Sequence, residues 1–179
     1  RLLAYSTIAN VGFILLGIYT GPEYGFNAAM FYMLTYTLFT TAIFGLLCEI
    51  KHGIKPVEEI TDLSGLNYKY PVSAAVILVI MLSMIGIPPF LGFYAKFYII
   101  QSLILTKNVY ISVFAVIMTV IGSFYYLRVI KVIYFDKLDD KINSISNHLI
   151  TYIFVALLLL LGLFPNILSS ITFYSITNL

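Results

Sequence analysis

Long uncharged apolar stretches dominate the chain and alternate with short polar connections. Most of the stretches approach or exceed the roughly 17–25 residues that cross a hydrocarbon core as a helix. They lack the two-residue alternation of transmembrane β-strands. The pattern predicts an all-α, polytopic transmembrane helix bundle that forms a single transmembrane domain over residues 1–179. We predict five membrane segments, near residues 2–19, 26–49, 71–105, 109–133 and 148–177, the last with a kink at Pro165.

The third segment contains a strong helix-breaking signal. From residue 71 to residue 106 it would measure about 54 Å as one helix, too long for one straight crossing and slightly short for two. Pro88 and Pro89 interrupt it, because neither can donate a backbone hydrogen bond and each restricts the preceding residue. We expect a discontinuous helix at Pro88-Pro89, where Gly86 and Gly92 leave room for a bend or for close packing.

The basic residues indicate how often this segment crosses the membrane. If it crosses once, eight lysines and arginines share one side and Lys107 lies on the other; if it crosses twice, the division becomes five to four. The positive-inside rule favours the single broken crossing, with the basic side facing the cytoplasm or the mitochondrial matrix. The eight residues are Arg1, Lys51, Lys55, Lys69, Arg128, Lys131, Lys137 and Lys141.

Lys96 is the only charged residue between Pro71 and Ile104. A lysine near the middle of a bilayer costs about 3 kcal/mol or more, so it is usually paired, hydrated or functional. Transporters also place ion sites at broken helices, because the broken backbone must be buried in protein or line a hydrated cavity. We predict that Lys96 handles charge within the membrane. The alternative is a lysine that snorkels to an interface.

Hydroxyl and aromatic side chains allow two interpretations. Tyr36 and Thr40 lie one turn apart on the second segment, and with Tyr94 they are candidates to support Lys96 by holding protons or water. Packing between helices through these hydroxyls is the alternative. Tyr125 and Tyr126, near the end of the fourth segment, are expected to form an aromatic belt at the membrane interface.

The composition indicates a membrane protein and gives no sign of a nucleic-acid-binding or metal-binding protein. Hydrophobic residues make up 61% of the chain and charged residues 10%, against about half and about a quarter in soluble domains. The net charge of +2 gives no basis for nucleic-acid binding. Cys48 is the only cysteine, and no Cys/His cluster suits a metal or iron–sulfur centre. We expect no cofactor in this chain, and membrane lipids but no nucleic acid as partners.

Several motifs resemble one family. Residues 1–12, RLLAYSTIANVG, resemble the RLLAYSSIAHxG helix of the antiporter-like membrane subunits of respiratory complex I. Residues 86–97, GIPPFLGFYAKF, resemble the broken-helix motif of that family, and residues 125–130, YYLRVI, its next helix. The subunit 4 and 5 branches tend to carry histidines and a central lysine where this chain has Tyr32, Tyr36 and Thr40. The chain is therefore similar to the C-terminal part of the subunit 2 branch, called subunit N in bacteria.

The resemblance implies the second half of an antiporter-like fold, in the membrane arm of the proton-translocating NADH–ubiquinone oxidoreductase. It implies part of a proton half-channel centred on Lys96, whose protonation changes as neighbouring charges move. Redox catalysis is not expected in this chain, since flavin and iron–sulfur clusters belong to other subunits of the complex.

The same resemblance implies the partners and the location. The partners are other membrane-arm subunits, including neighbouring antiporter-like subunits, and a chain or segment that supplies the missing N-terminal half. Arg1 is expected to be an internal position of a longer sequence, because no methionine and no basic n-region precede the first apolar helix. The implied location is the mitochondrial inner membrane, with a bacterial or plastid energy-coupling membrane as the alternative.

Two other functions stay open. One is a free-standing monovalent cation/proton antiporter, which uses a related fold, although the missing N-terminal half argues against it. The other is a structural fragment of complex I without an active proton relay. The retention of Lys96 argues against that second alternative.

Overall fold

Helices account for most of the chain that the structure describes. The computed structural model describes residues 2–52, 55–137, 142–145 and 149–177. Arg1, Lys141 and the predicted start of the last segment at residue 148 lie outside these ranges. The helices are α1 (Leu2–Tyr19), α2 (Gly25–Glu49), α3 (Leu66–Lys69), α4 (Pro71–Ile85), α5 (Leu91–Leu105), α6 (Val109–Phe135), α7 (Leu149–Leu163) and α8 (Pro165–Thr177), with a 3-10 turn at Ile60–Leu63. The predicted all-α helix bundle is confirmed.

Within the described residues, three helices are long and apolar enough to cross a membrane unaided: α1, α2 and α6. The pair α7 and α8 is a fourth candidate, with an angle of 88° between its two helices. α4 and α5 are apolar but have only 15 residues each. At about 22 Å, neither alone reaches across a core of about 30 Å.

A small antiparallel sheet links two of the loops between helices at one end of the bundle. Its strands are β1 (Ile50–His52), β2 (Lys55–Pro56) and β3 (Ile142–Ile145), in the order β2-β1-β3. We did not predict this sheet. Its strands are too short to show a periodic pattern, and β1 pairs with a strand about 90 positions away in the sequence.

The helix ends confirm that α4 and α5 together cross the bundle once. Pairing of β1 with β3 places the end of α2 and the end of α6 on the same side. α4 begins on that side too, because the Gly65 N–H donates to the Val132 carbonyl near the end of α6 at 3.2 Å. α5 ends on the opposite side, since only residues 106–108 separate it from the start of α6. We call these the basic side and the opposite side.

The break in this crossing begins at a glycine, ahead of the two prolines. Gly86 adopts a left-handed conformation with φ of +91°, which is common just past a helix C-terminus. Its N–H donates to the carbonyls of Leu82 at 3.1 Å and Ser83 at 3.0 Å. The prolines that follow cannot restart the hydrogen-bond ladder, and α5 begins only at Leu91.

The last segment turns through a right angle. α7 ends at Leu163 and α8 begins at Pro165, with 88° between their axes. Proline is favoured at the first position of a helix, where no N–H is needed, and it cannot continue the preceding hydrogen-bond ladder. The predicted kink at Pro165 is confirmed. After the turn, α8 packs against α2.

α2 lies at the centre of the bundle and packs against α1, α4, α5, α7 and α8. Its Ala42, Ile43 and Leu46 side chains are fully buried. The outer faces of α1 and α6 are apolar and open, with Ile8 and Phe124 each 69% exposed. Exposed apolar faces are suited to lipid, which is as apolar as the side chains themselves.

Candidate functional site

Lys96 reaches back from α5 to the end of α4. Its Nζ donates hydrogen bonds to the carbonyl oxygens of Met84 and Ile85, each at 2.8 Å. Helical side chains lean toward the helix N-terminus, which directs Lys96 toward the break. The break leaves the last carbonyls of α4 without helical donors, and they carry the negative end of the helix dipole. Lys96, Gly86 and these two carbonyls form one unit, the helix-break site.

Two glycines allow this close approach. A Cβ atom on Gly86 would lie 3.1 Å from Cδ and 3.6 Å from Nζ of Lys96, so a side chain there would crowd the lysine. A Cβ atom on Gly92, in the first turn of α5, would overlap the carbonyl oxygen of Ser83 in α4. Gly86 therefore belongs to the helix-break site, whereas Gly92 holds the two half-helices together beside it.

Neighbouring helices cover the break on two sides. Gly162 of α7 lies so close that a Cβ atom there would be 3.0 Å from the Pro89 carbonyl oxygen. The ring of Phe13, from α1, has its centroid 5.9 Å from the Lys96 Nζ, within the range of a cation–π contact. Pro88 and Pro89 themselves remain exposed on the outer surface of the described chain.

The other candidate residues do not contact the lysine. The Tyr36 hydroxyl donates to Thr7 Oγ1 at 2.8 Å. The Thr40 hydroxyl donates to the Tyr36 carbonyl of its own helix at 3.0 Å. Tyr94 is half-buried on α5. Among the described residues, no hydrogen bond joins Lys96 to any of these three, and no carboxylate forms an ion pair with it.

A second polar cluster lies where α1, α2 and α6 meet. The hydroxyls of Ser6 and Tyr126 share a hydrogen bond of 2.7 Å. Asn10 Nδ2 donates to Ser6 Oγ at 3.2 Å, and the Tyr32 hydroxyl donates to Asn10 Oδ1 at 2.8 Å. All four side chains are at least nine-tenths buried. We call them the interhelical network.

The network corrects the expectation of an aromatic belt. Tyr125 is 55% exposed and fits a belt, but Tyr126 is only 6% exposed. Adjacent residues on a helix point about 100° apart, so one of the pair can face lipid while the other faces the bundle. The i, i+4 spacing of Ser6 and Asn10 was the available signal, because it places two polar side chains on one face of an apolar helix.

Replacing Tyr126 with phenylalanine is expected to destabilise the bundle by about 1 kcal/mol, because it removes one buried interhelical hydrogen bond. The change should appear as a lower thermal inactivation midpoint of the assembled protein in detergent. Tyr125→Phe is the matched control, because Tyr125 is the residue directly before Tyr126 and its side chain is exposed. Equal midpoints for the two variants would contradict the bond between Ser6 and Tyr126.

Comparisons with known proteins agree on one family. The family described as NADH:quinone oxidoreductase/Mrp antiporter, TM, matches residues 1–122. NADH-quinone oxidoreductase subunit N of Thioalkalivibrio sulfidiphilus is 40% identical over 174 residues, covering 96% of this chain and 36% of that protein. A chain of respiratory complex I from Thermus thermophilus with bound aureothin aligns with a TM-score of 0.78 and 31% identity, over 95% of this chain and 39% of that one.

A more distant likeness supports the fold alone. A chain of the Mrp complex from Dietzia sp. DQ12-45-1b aligns with a TM-score of 0.82 at 22% identity, over 99% of this chain and 42% of that one. The chain spans less than half the length of each of these relatives. The family match covers α1 to α5, including the helix-break site, and about half of α6. The resemblance read from the sequence motifs is confirmed, and the chain belongs to the NADH:quinone oxidoreductase/Mrp antiporter transmembrane family.

Proposed function

We propose that the chain is part of a proton-translocating membrane-arm subunit of NADH:quinone oxidoreductase, and that it carries part of a proton half-channel centred on Lys96. The observation that carries the proposal is the position of the Lys96 amine, held at 2.8 Å by two carbonyls at a break in a membrane crossing. An ionisable group at such a place in a membrane is a functional site by default.

The surroundings of Lys96 suit a group that gains and loses a proton. Its ammonium form is stabilised by two carbonyls and by the dipole of α4, which are neutral groups. A permanent ion pair with a carboxylate would hold the ammonium form strongly. Among the described residues Lys96 has no such pair, so a charge that moves nearby can change its protonation state. This is what a proton relay requires.

The rest of the proposed activity belongs to the assembly. In this proposal the enzyme is an H⁺-translocating NADH:quinone reductase, and the chain contributes no redox step. Flavin and iron–sulfur clusters reside in other subunits. The partners are the other membrane-arm subunits, neighbouring antiporter-like subunits, a chain or segment that supplies the N-terminal half, and lipids. The location is an energy-coupling membrane, either the mitochondrial inner membrane or that of a bacterium or plastid.

A free-standing monovalent cation/proton antiporter is the second candidate. The family description names the Mrp antiporter beside the oxidoreductase, so the family alone does not separate the two. In some transporters the backbone carbonyls of a broken helix bind Na⁺. The helix-break site has two carbonyls without helical donors, and both accept hydrogen bonds from Lys96.

Native electrophoresis of gently solubilised membranes separates these candidates. We expect the chain, identified by mass spectrometry, to migrate with a very large band that oxidises NADH in the gel. Peptides preceding residue 1 in that band would identify the source of the N-terminal half. Migration as a small species without NADH oxidation would contradict membership of the oxidoreductase, and Na⁺- or K⁺-dependent proton flux would then support the antiporter.

A further inference from the structure

A cavity lies at the end of the bundle on the opposite side, next to the turn that joins α1 to α2. Its volume is about 680 Å³, within the usual range for small-molecule sites. The start of α2, the end of α5 and part of α8 complete its walls. Because α2 begins and α5 ends on the opposite side, the cavity lies where membrane-crossing helices reach the membrane surface.

The cavity has an apolar interior and a polar mouth. In the interior, Phe31 is 1% exposed and packs edge to face against Tyr98, with ring centroids 5.0 Å apart. Phe173 of α8 adds a third ring to the lining. Glu23 and Tyr24 lie at the mouth, and both are exposed. An apolar interior with a few polar groups at its mouth suits an amphiphile, a molecule with a polar head and an apolar tail.

Asn27 lies between the mouth and the interior, since it comes four positions after Glu23 and four before Phe31. Its side-chain oxygen Oδ1 is buried and has no hydrogen-bond partner in the described chain. Buried polar atoms in native proteins nearly always have a partner, in the protein, in water or in a bound molecule. The cavity therefore needs a hydrogen-bond donor at the depth of Asn27.

The charge of the lining indicates what kind of donor fits. Glu23 is the only charged residue among the described residues that line the cavity. Its carboxylate favours a positively charged head, and the lining has none of the basic residues that bind anionic lipids. A primary ammonium group has three N–H donors, enough for the Glu23 carboxylate and Asn27 Oδ1 together. A quaternary ammonium group has the same charge but no N–H donor, so it would leave Asn27 without a partner.

We infer that this cavity binds an aminophospholipid of the phosphatidylethanolamine class. The lipid ammonium donates to the Glu23 carboxylate and to Asn27 Oδ1, in charge-assisted hydrogen bonds. One acyl chain lies along the rings of Phe31, Tyr98 and Phe173. A small water-soluble amine would supply the head but leave these rings uncovered. The bound lipid joins α8 to α2 and α5, because all three helices line the cavity. The inference does not depend on the proposed proton relay.

Photolabelling of the assembled complex tests the inference. The complex is reconstituted in phosphatidylcholine vesicles that contain a small fraction of phosphatidylethanolamine with a photoreactive acyl chain. We expect mass spectrometry to find the label on peptides that contain Phe31 or Phe173. Unlabelled phosphatidylethanolamine should compete about tenfold more strongly than added phosphatidylcholine, because only the former donates hydrogen bonds from its head. The monomethylated and dimethylated forms should fall between them, since they have the same tails but fewer N–H donors.

Two substitutions test the proposed contacts of the head. Asn27→Leu has nearly the same size but no acceptor, and Glu23→Gln removes the charge. We expect each to reduce labelling of these peptides by about tenfold, the effect of losing one hydrogen bond to a charged group. Asn166→Leu is the matched control, because this exposed asparagine of α8 lies outside the described lining. It should keep full labelling.

Three results would overturn the inference. One is equal competition by all four lipids, which would show that the head is not recognised. Another is equal labelling of the Asn27→Leu and Asn166→Leu variants, which would show that Asn27 does not hold the lipid. The third is efficient cross-linking of a Ser170→Cys variant to another protein chain, with no lipid label, because a neighbouring subunit would then fill the cavity.

Discussion

Replacing Lys96 with methionine is expected to abolish most proton transfer through the helix-break site while the complex still assembles. Methionine has a similar length and suits an apolar environment, but it carries no exchangeable proton. Loss of a positioned proton-transfer group slows such a step by about 10²–10⁴-fold. The two carbonyls of Met84 and Ile85 lose their donor, and we expect a cost of about 1–3 kcal/mol in stability. Proton pumping and NADH oxidation are measured in membrane vesicles, normalised to assembled complex.

Two further substitutions identify what the lysine supplies. Lys96→Arg keeps a cation near the carbonyls but cannot release its proton, because arginine stays protonated in proteins. We therefore expect it to lose pumping as Lys96→Met does. Lys131→Met is the matched control, because this exposed lysine lies near the basic end of α6. Unchanged pumping in an assembled Lys96→Met complex would contradict the relay and favour the structural-fragment alternative.

Gly92→Ala is expected to prevent normal assembly of the chain into the complex. A Cβ atom at this position would overlap the backbone carbonyl oxygen of Ser83, which a side-chain rotation cannot relieve. The ends of α4 and α5 would have to separate, and overpacking of this kind costs about 1–3 kcal/mol or more. The amount of chain in membranes and in the high-mass band of a native gel measures the effect.

Gly12→Ala provides the control for this substitution. Gly12 also lies within a membrane helix, but a Cβ atom there would meet nothing within 4 Å. We expect it to assemble normally, helped slightly by the better helix propensity of alanine. Normal assembly of both variants would contradict the close approach of the two half-helices at Gly92.

Much of the helix-break site could be predicted from the sequence. A single charge inside a long apolar stretch of a membrane helix must be paired, hydrated or functional, and two adjacent prolines cannot lie within a regular helix. The sequence therefore predicted a site that combines Lys96 with the break at Pro88-Pro89. Tyr36 and Thr40 were less certain, because helical spacing shows which side chains share a face but not which neighbour that face meets. In the structure they bond to α1 and to their own helix.

The sequence by itself determined the apolar helical segments and the place where the third crossing breaks. These features depend on the local residue sequence and on the thickness of a bilayer. They can therefore be predicted without knowing how the helices pack against one another. Only the tertiary structure decided the partners of each polar group. It placed the Lys96 amine on two carbonyls, joined Ser6 to Tyr126 across 120 positions, and left Thr35 without a partner. Such pairings follow from how the helices rotate and pack, and that packing is a property of the whole bundle.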